Sequence, residues 1–173
     1  ITLDKNKNCP GFIYSNESYE ISIDNKNEVL KLAKKLKIDA VVAFASDKAA
    51  LTASYISEKL KLPGNPLKAV KLLTHKDLYK RFLQKNNFFV PNFKTYSSKI
   101  KAYKFAKKMK LPIFIKPIDS SGSKGVTKLK NFKNFNTAFN NALKFSQKKR
   151  IIIEESITRK HYQIAGDAFV MKG

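Results

Sequence analysis

The stretch from Leu111 to Val126, LPIFIKPIDSSGSKGV, restricts the fold of this chain more than any other. A short apolar run ends in a lysine and a proline, a Ser/Gly loop follows, and apolar character resumes at Val126. Such a run reads as a buried strand, and proline at its end stops the ladder. The loop, Ser120-Ser121-Gly122-Ser123-Lys124-Gly125, is small-residued enough to bring backbone N–H groups close to an anion. Lys116 adds a fixed positive charge beside it, so strand, lysine and loop together suit phosphate. The string is neither a P-loop nor a G-x-G-x-x-G fingerprint.

Composition narrows the classes. A chain of 173 residues can bury a core as one domain or two small ones. It has no run of about 18 apolar residues that would span a membrane, and Ile1–Asn8 lacks the basic-then-apolar order of a signal peptide. Cys9 is the single cysteine, which excludes an intrachain disulfide and a cysteine-based zinc site and fits a reducing cytoplasm. The net charge is +22, which by itself suggests nucleic acid. Yet only three of the 35 basic residues are arginine (Arg81, Arg150, Arg159), the residue that base and phosphate readers favour. Lysine is scattered along every segment, with Asn, Ile and Phe abundant, as A/T-rich codon usage produces. Nucleic-acid binding is therefore the lesser alternative, and position must carry any argument about a lysine.

The order of elements is that of an α/β protein. Ile21–Ile23 reads as a short strand. Asp24-Asn25 caps a helix over 26–36, with Val29, Leu32, Ala33 and Leu36 at helical spacing. Ile38–Ala45 is almost continuously apolar, as in a strand covered on both faces. Ser46-Asp47 starts a second helix toward Leu62, giving a small βαβ layer. Pro63-Gly64-Asn65-Pro66 is the strongest punctuation and sets the expected domain boundary, 1–65 and 66–173. Beyond it, Thr74-His75-Lys76-Asp77 resembles a capping box for a helix to about residue 85, with Leu78, Tyr79, Phe82 and Leu83 inward. A strand at 92–96 follows, then a helix capped by Ser97-Ser98 that buries Ile100, Tyr103, Ala106 and Met109. Strands at 113–116 and 126–129, a helix over 132–146, a strand at Ile151–Glu155 and one begun at His161–Val170 complete the reading.

Glu154 and Glu155 stand out because the chain has only 13 acids and these two end an Ile-rich strand. One can face solvent. The other either accepts a hydrogen bond from an adenine amino group or pairs with a lysine. His75 and His161 lack metal-ligand spacing, so no metal ligand is expected here.

Read in order, Lys76 at a helix start, Lys116 at the end of P-x-x-x-K-P, the glycine loop, and Glu154-Glu155-Ser156-Ile157 resemble the ATP-grasp superfamily. The likeness is to ligases related to the carbamoyl phosphate synthase large chain and biotin carboxylase. D-A-V-V-A-F-A-S-D and L-P-G-N-P are similar to that family's pre-ATP-grasp domain. The resemblance implies an incomplete Rossmann-like domain over 1–65, followed over 66–173 by an α+β ATP-grasp subdomain and the start of a second one. It implies that Lys76 and Lys116 hold phosphates. It makes Ser120, Ser121, Gly122, Ser123, Lys124 and Gly125 the flexible loop, and has Glu154, Glu155 and Ile157 hold adenine. His161, in K-H-Y-Q-I, is similar to the R-H-V-E-I of biotin carboxylases and takes the place of a ribose-binding glutamate. ATP and Mg²⁺ are the implied cofactors, with the magnesium-binding Glu and Asn expected downstream of Gly173. The opening I-T-L-D looks like a second strand, so the chain is expected to be a fragment that is inactive alone. The parent is expected to be a cytoplasmic ligase, compatible with a homodimer, that activates a carboxylate as an acyl phosphate for an amine. A non-catalytic nucleotide-binding or partner-binding domain of the same fold is the alternative.

Overall fold

The computed structural model describes residues 1–158 and 160–162, which form two compact units. The first comprises Ile1–Phe88 with Asp119–Gly122; the second comprises Phe89–Ile118 and the described residues from Ser123 on. Among the described residues no helix is long and apolar enough to cross a membrane.

In the first unit β1 (Thr2–Asp4) pairs in parallel with β2 (Ser18–Glu20). Helix α1 (Lys26–Leu36) starts where the Asn25 side chain accepts the Glu28 N–H, and α2 (Asp47–Leu60) where Ser46 accepts that of Ala49. Both are caps of the kind the sequence signals. Each helix ends on a left-handed lysine, Lys37 and Lys61. Val29, Ala33 and Ile56 are the buried centre, backed by Leu3, Ile21, Leu30 and Tyr55. Three expectations fail here. Ile21–Ile23 is not a strand; pairing stops at Glu20. Ile38–Ala45 is not a strand either. Without a neighbouring ladder among the described residues it cannot satisfy its backbone as a sheet, and instead it walls an apolar cavity of ≈ 530 Å³ with Leu3, Val29 and Ile56. Val42 and Phe44 are left exposed.

The third failure is the capping box. Helix α3 (Leu67–Thr74), which the sequence reading missed, runs into α4 (Lys76–Lys85) with only His75 between them. Thr74 therefore closes one helix rather than opening the next, and its hydroxyl donates to the Val70 carbonyl at 2.8 Å. On α4, Leu78 and Leu83 are half-buried, whereas Tyr79 and Phe82 are exposed rather than inward. The main neighbour of α4 in its unit is the short α3, which covers only part of its apolar side.

The second unit is a four-stranded antiparallel sheet with two helices on one face. Its strands are β3 (Phe93–Tyr96), β4 (Ile113–Pro117), β5 (Thr127–Leu129) and β6 (Ile151–Glu155), in the order β3-β6-β4-β5. Helices α5 (Lys99–Ala106) and α6 (Phe135–Phe145) pack on Ile113, Ile115, Leu129, Ile151 and Ile153 through Ala102, Ala106, Phe135, Ala138, Phe139 and Ala142. Each fully buried Ile or Phe contributes about 1.5–3 kcal/mol, so this cluster is the principal core. Of the residues expected inward here, Ala106 is in the core and Met109 packs against it, but Ile100 and Tyr103 do not. Ala102 and Ala106 face the core while Ile100 is 70% exposed and Tyr103 is at the surface. Two alanines one turn apart let the helix approach closely, an advantage the bulkier residue would remove. Tyr103 still meets the edge of the Phe135 ring at 5.0 Å. Residues 163–170 of the last expected strand lie outside the described residues, and His161 precedes them in non-strand backbone.

Candidate functional site

Side chains alternate across a strand, so register decides which residues share a face. In the pairing of β4 with β6, Phe114 lies opposite Glu154 and Lys116 opposite Ile152. Phe93 and Thr95 of β3 lie opposite the same two β6 residues, and Lys128 of β5 lies opposite Phe114. These residues form the sheet face turned away from α5 and α6. Glu155 lies opposite Ile113 and belongs to the other face.

That arrangement separates the two acids. Glu154 is buried, with 7% of its side chain exposed, and pairs with the Lys116 ammonium, 22% exposed, through Oε1. Glu155 is exposed; its N–H donates to the Asn92 carbonyl at 2.9 Å and its Oε2 accepts from the Asn92 N–H at 3.5 Å. It therefore ties the strand end to the segment entering β3. Lys116 Nζ also lies 4.7 Å from the centroid of the Phe114 ring, and Lys128 Nζ lies 5.7 Å from it. Two cations over one ring and one buried carboxylate make a positive, partly desolvated surface, which suits an anionic ligand. Arg150 borders it, donating to the Thr95 hydroxyl at 2.7 Å. The sequence reading missed Phe114 and Lys128. Phe114 sits two residues before Lys116 on a strand, so its shared face was available from the period; Lys128 required the register.

The loop is divided between the units. Ser120, Ser121 and Gly122 group with the first unit, where Lys76, the first residue of α4, donates from Nζ to the Ser120 carbonyl. Ser121, Gly122, Ser123 and Lys124 are exposed. Gly122 has φ +60 with nothing within 4 Å of a Cβ built on it, and Ser123 follows at φ 57. Gly125 is different. It has φ +75, is buried, and a Cβ there would meet Phe145 Cβ at 3.0 Å and the Asn141 carbonyl at 3.3 Å. The Val126 N–H closes the turn on the Ser123 carbonyl at 3.2 Å. Ile157 is 59% exposed and His161 is exposed, both in backbone without regular structure. Among the described residues no cluster of three or more His, Cys, Asp or Glu could hold a metal ion.

The family described as D-ala D-ala ligase C-terminus matches residues 83–166. A D-alanine–D-alanine ligase of Blochmanniella floridana is 30% identical over 106 residues, covering 59% of this chain and 29% of the relative. Thus the chain spans less than a third of that curated relative. Among solved structures, an L-amino acid ligase from Bacillus licheniformis superposes with a TM-score of 0.64 at 18% identity, over 82% of this chain and 33% of that one. The biotin carboxylase domain of the Hydrogenobacter thermophilus 2-oxoglutarate carboxylase, in complex with MgADP, ADP and bicarbonate, gives 0.62 at 19% identity, over 84% and 36%.

Proposed function

We propose that this chain is an ATP-grasp domain fragment, the ATP-holding part of a ligase that activates a carboxylate as an acyl phosphate for attack by an amine. The observation that carries the reading is the Lys116–Glu154 pair beside the Phe114 ring, on the sheet face turned away from α5 and α6. In this reading Lys116 neutralises phosphate oxygens, and Glu154 rather than Glu155 faces the base. The ammonium has three donors and uses one toward Glu154, which leaves donors for a ligand. Lys76 enters as a second phosphate contact, and Ser120–Gly125 as the loop over the phosphates. Ile157 and His161 enter as base and ribose contacts. The chain's contribution is positioning and charge neutralisation, as phosphoryl transfer requires. Magnesium, where bound, would supply charge neutralisation at the phosphates; the described residues include no acid cluster that would hold it.

Both sequence matches are to D-alanine–D-alanine ligases, which favours an amino acid as the carboxylate substrate of the parent protein, in the cytoplasm. Calorimetry tests the site. ATP with Mg²⁺ should release heat with the unaltered chain and little with Lys116→Ala. Equal heats would remove Lys116 from the site, and no heat from either would refute nucleotide binding. In the full-length parent, ADP formation should depend on an amino acid rather than on bicarbonate.

A further inference from the structure

Lys76 is engaged before any ligand arrives. Its ammonium donates to the Ser120 carbonyl, 44 residues along the chain, at the upstream end of the glycine loop. The segment Asp119–Gly122 accordingly groups with the unit that contains α4, although the strand it leaves belongs to the other. The downstream end is fixed by different means. Gly125, at φ +75, is packed so closely that a Cβ would sit 3.0 Å from Phe145 Cβ and 3.3 Å from the Asn141 carbonyl, tighter than ordinary contact. Between those ends lie two successive left-handed residues, Gly122 and Ser123, and the first has open space around it.

We infer that Lys76 is a clasp for the upstream arm of the loop: its ammonium restrains Ser120, so that the loop is a strap held at both ends, with Ser121–Lys124 as its moving span. The proposal assigns Lys76 a positioning role that exists without nucleotide. Its use during turnover rests on the ATP-binding reading above. A lysine suits both tasks because one ammonium carries three donors and makes charge-assisted bonds to carbonyl and phosphate oxygens alike. The downstream end needs no such partner. It is held by steric fit, which a ligand cannot compete away.

Spin labelling separates this role from phosphate binding. The single cysteine, Cys9, is replaced by serine, and a nitroxide is placed at the exposed Ser121 (Ser121→Cys). A second sample carries it at the exposed Ser97. Spectra are recorded without nucleotide for the Lys76 background, Lys76→Met and Lys76→Arg. Lys76→Met keeps the aliphatic stem and removes the donors; Lys76→Arg keeps a donor. The expected result is that Lys76→Met turns the restricted component at Ser121 into the minor one, Lys76→Arg retains it, and the Ser97 spectrum is the same in all three. An unchanged Ser121 spectrum in Lys76→Met overturns the clasp, as does equal loosening at Ser97, which would signal general destabilisation. Calorimetry with ATP on the same samples keeps the two readings apart. Absence of heat with mobilisation of Ser121 leaves the clasp and removes the nucleotide site; heat without mobilisation does the reverse.

Discussion

Replacing Lys116 by methionine takes the Lys116 ammonium away from a buried carboxylate. Glu154 exposes only 7% of its side chain and Lys116 22%, so the two substitutions that break the pair are not equivalent. Removing one partner of a fully buried ion pair costs about 3–5 kcal/mol. This pair opens to solvent on the lysine side, which places Lys116→Met at or just below the lower end of that range, about 2–3 kcal/mol. Glu154→Gln is milder, at about 1–2 kcal/mol. The amide oxygen can still accept from the ammonium, and the cation keeps its place over Phe114 at 4.7 Å. In the double variant Lys116→Met/Glu154→Gln neither charge remains, and the cost should fall to about 1 kcal/mol or less. The coupling between the two positions is therefore about 2–4 kcal/mol, well above the few tenths expected of independent sites. Hydrogen exchange of peptides from β4 and β6 over a urea series reads the local stability directly. With a slope of about 1–3 kcal/mol per molar urea, the lysine variant should open roughly 1 M earlier. Equal costs for the two single substitutions, or simple additivity in the double, would refute the assignment of Glu154 as the desolvated member of a coupled pair.

Two further outcomes follow from local geometry. Gly122→Ala adds only the left-handed penalty at φ +60, about 1–2 kcal/mol. Gly125→Ala adds to a similar penalty the overlap with Phe145 and Asn141, about 1–3 kcal/mol more, and thermal unfolding of the two variants should rank them in that order. Burial raises the Tyr96 phenol above its ordinary 10.0. The unfolded chain therefore loses that proton first, and the stability linked to it is full below pH 10 and lost as pH rises through the folded value. Urea titrations at pH 8 and above pH 10 should show a smaller alkaline loss in Tyr96→Phe than in the unaltered chain.

Strands β4 and β6 of the second unit were readable because each is a short apolar run ended by charge or proline, and β3 and β5 from the punctuation at Pro91 and Gly125 before them. Helices α1 and α2 were readable from their Asn25 and Ser46 caps. Helix α3 escaped because its start lacks a capping side chain; Pro66 stands at the cap position and makes no side-chain hydrogen bond. The inner face of α5 escaped for another reason. Apolar spacing favours Ile100, but packing favours the pair of alanines that lets the helix sit close to the sheet. At the site, Lys116 and the two acids were visible as residue types in order. The choice between Glu154 and Glu155 was not visible, because it depends on pairing between strands 38 residues apart. No local pattern encodes that pairing. Ile38–Ala45 shows the converse: its composition is that of a strand, yet a strand also needs a neighbour.

The pairing of β4 with β6 also acts as a check on its own alignment. A slip of one residue would move every side chain of the slipped strand to the other face. Were β4 to slide so, Lys116 would leave Glu154 and point into the apolar layer of Phe135, Phe139 and the alanines. Were β6 to slide, Glu154 would suffer the same fate. The charges that suit this face to a ligand thus also penalise the nearest misaligned sheet. A variant without them could be as stable as the original yet less strictly in register.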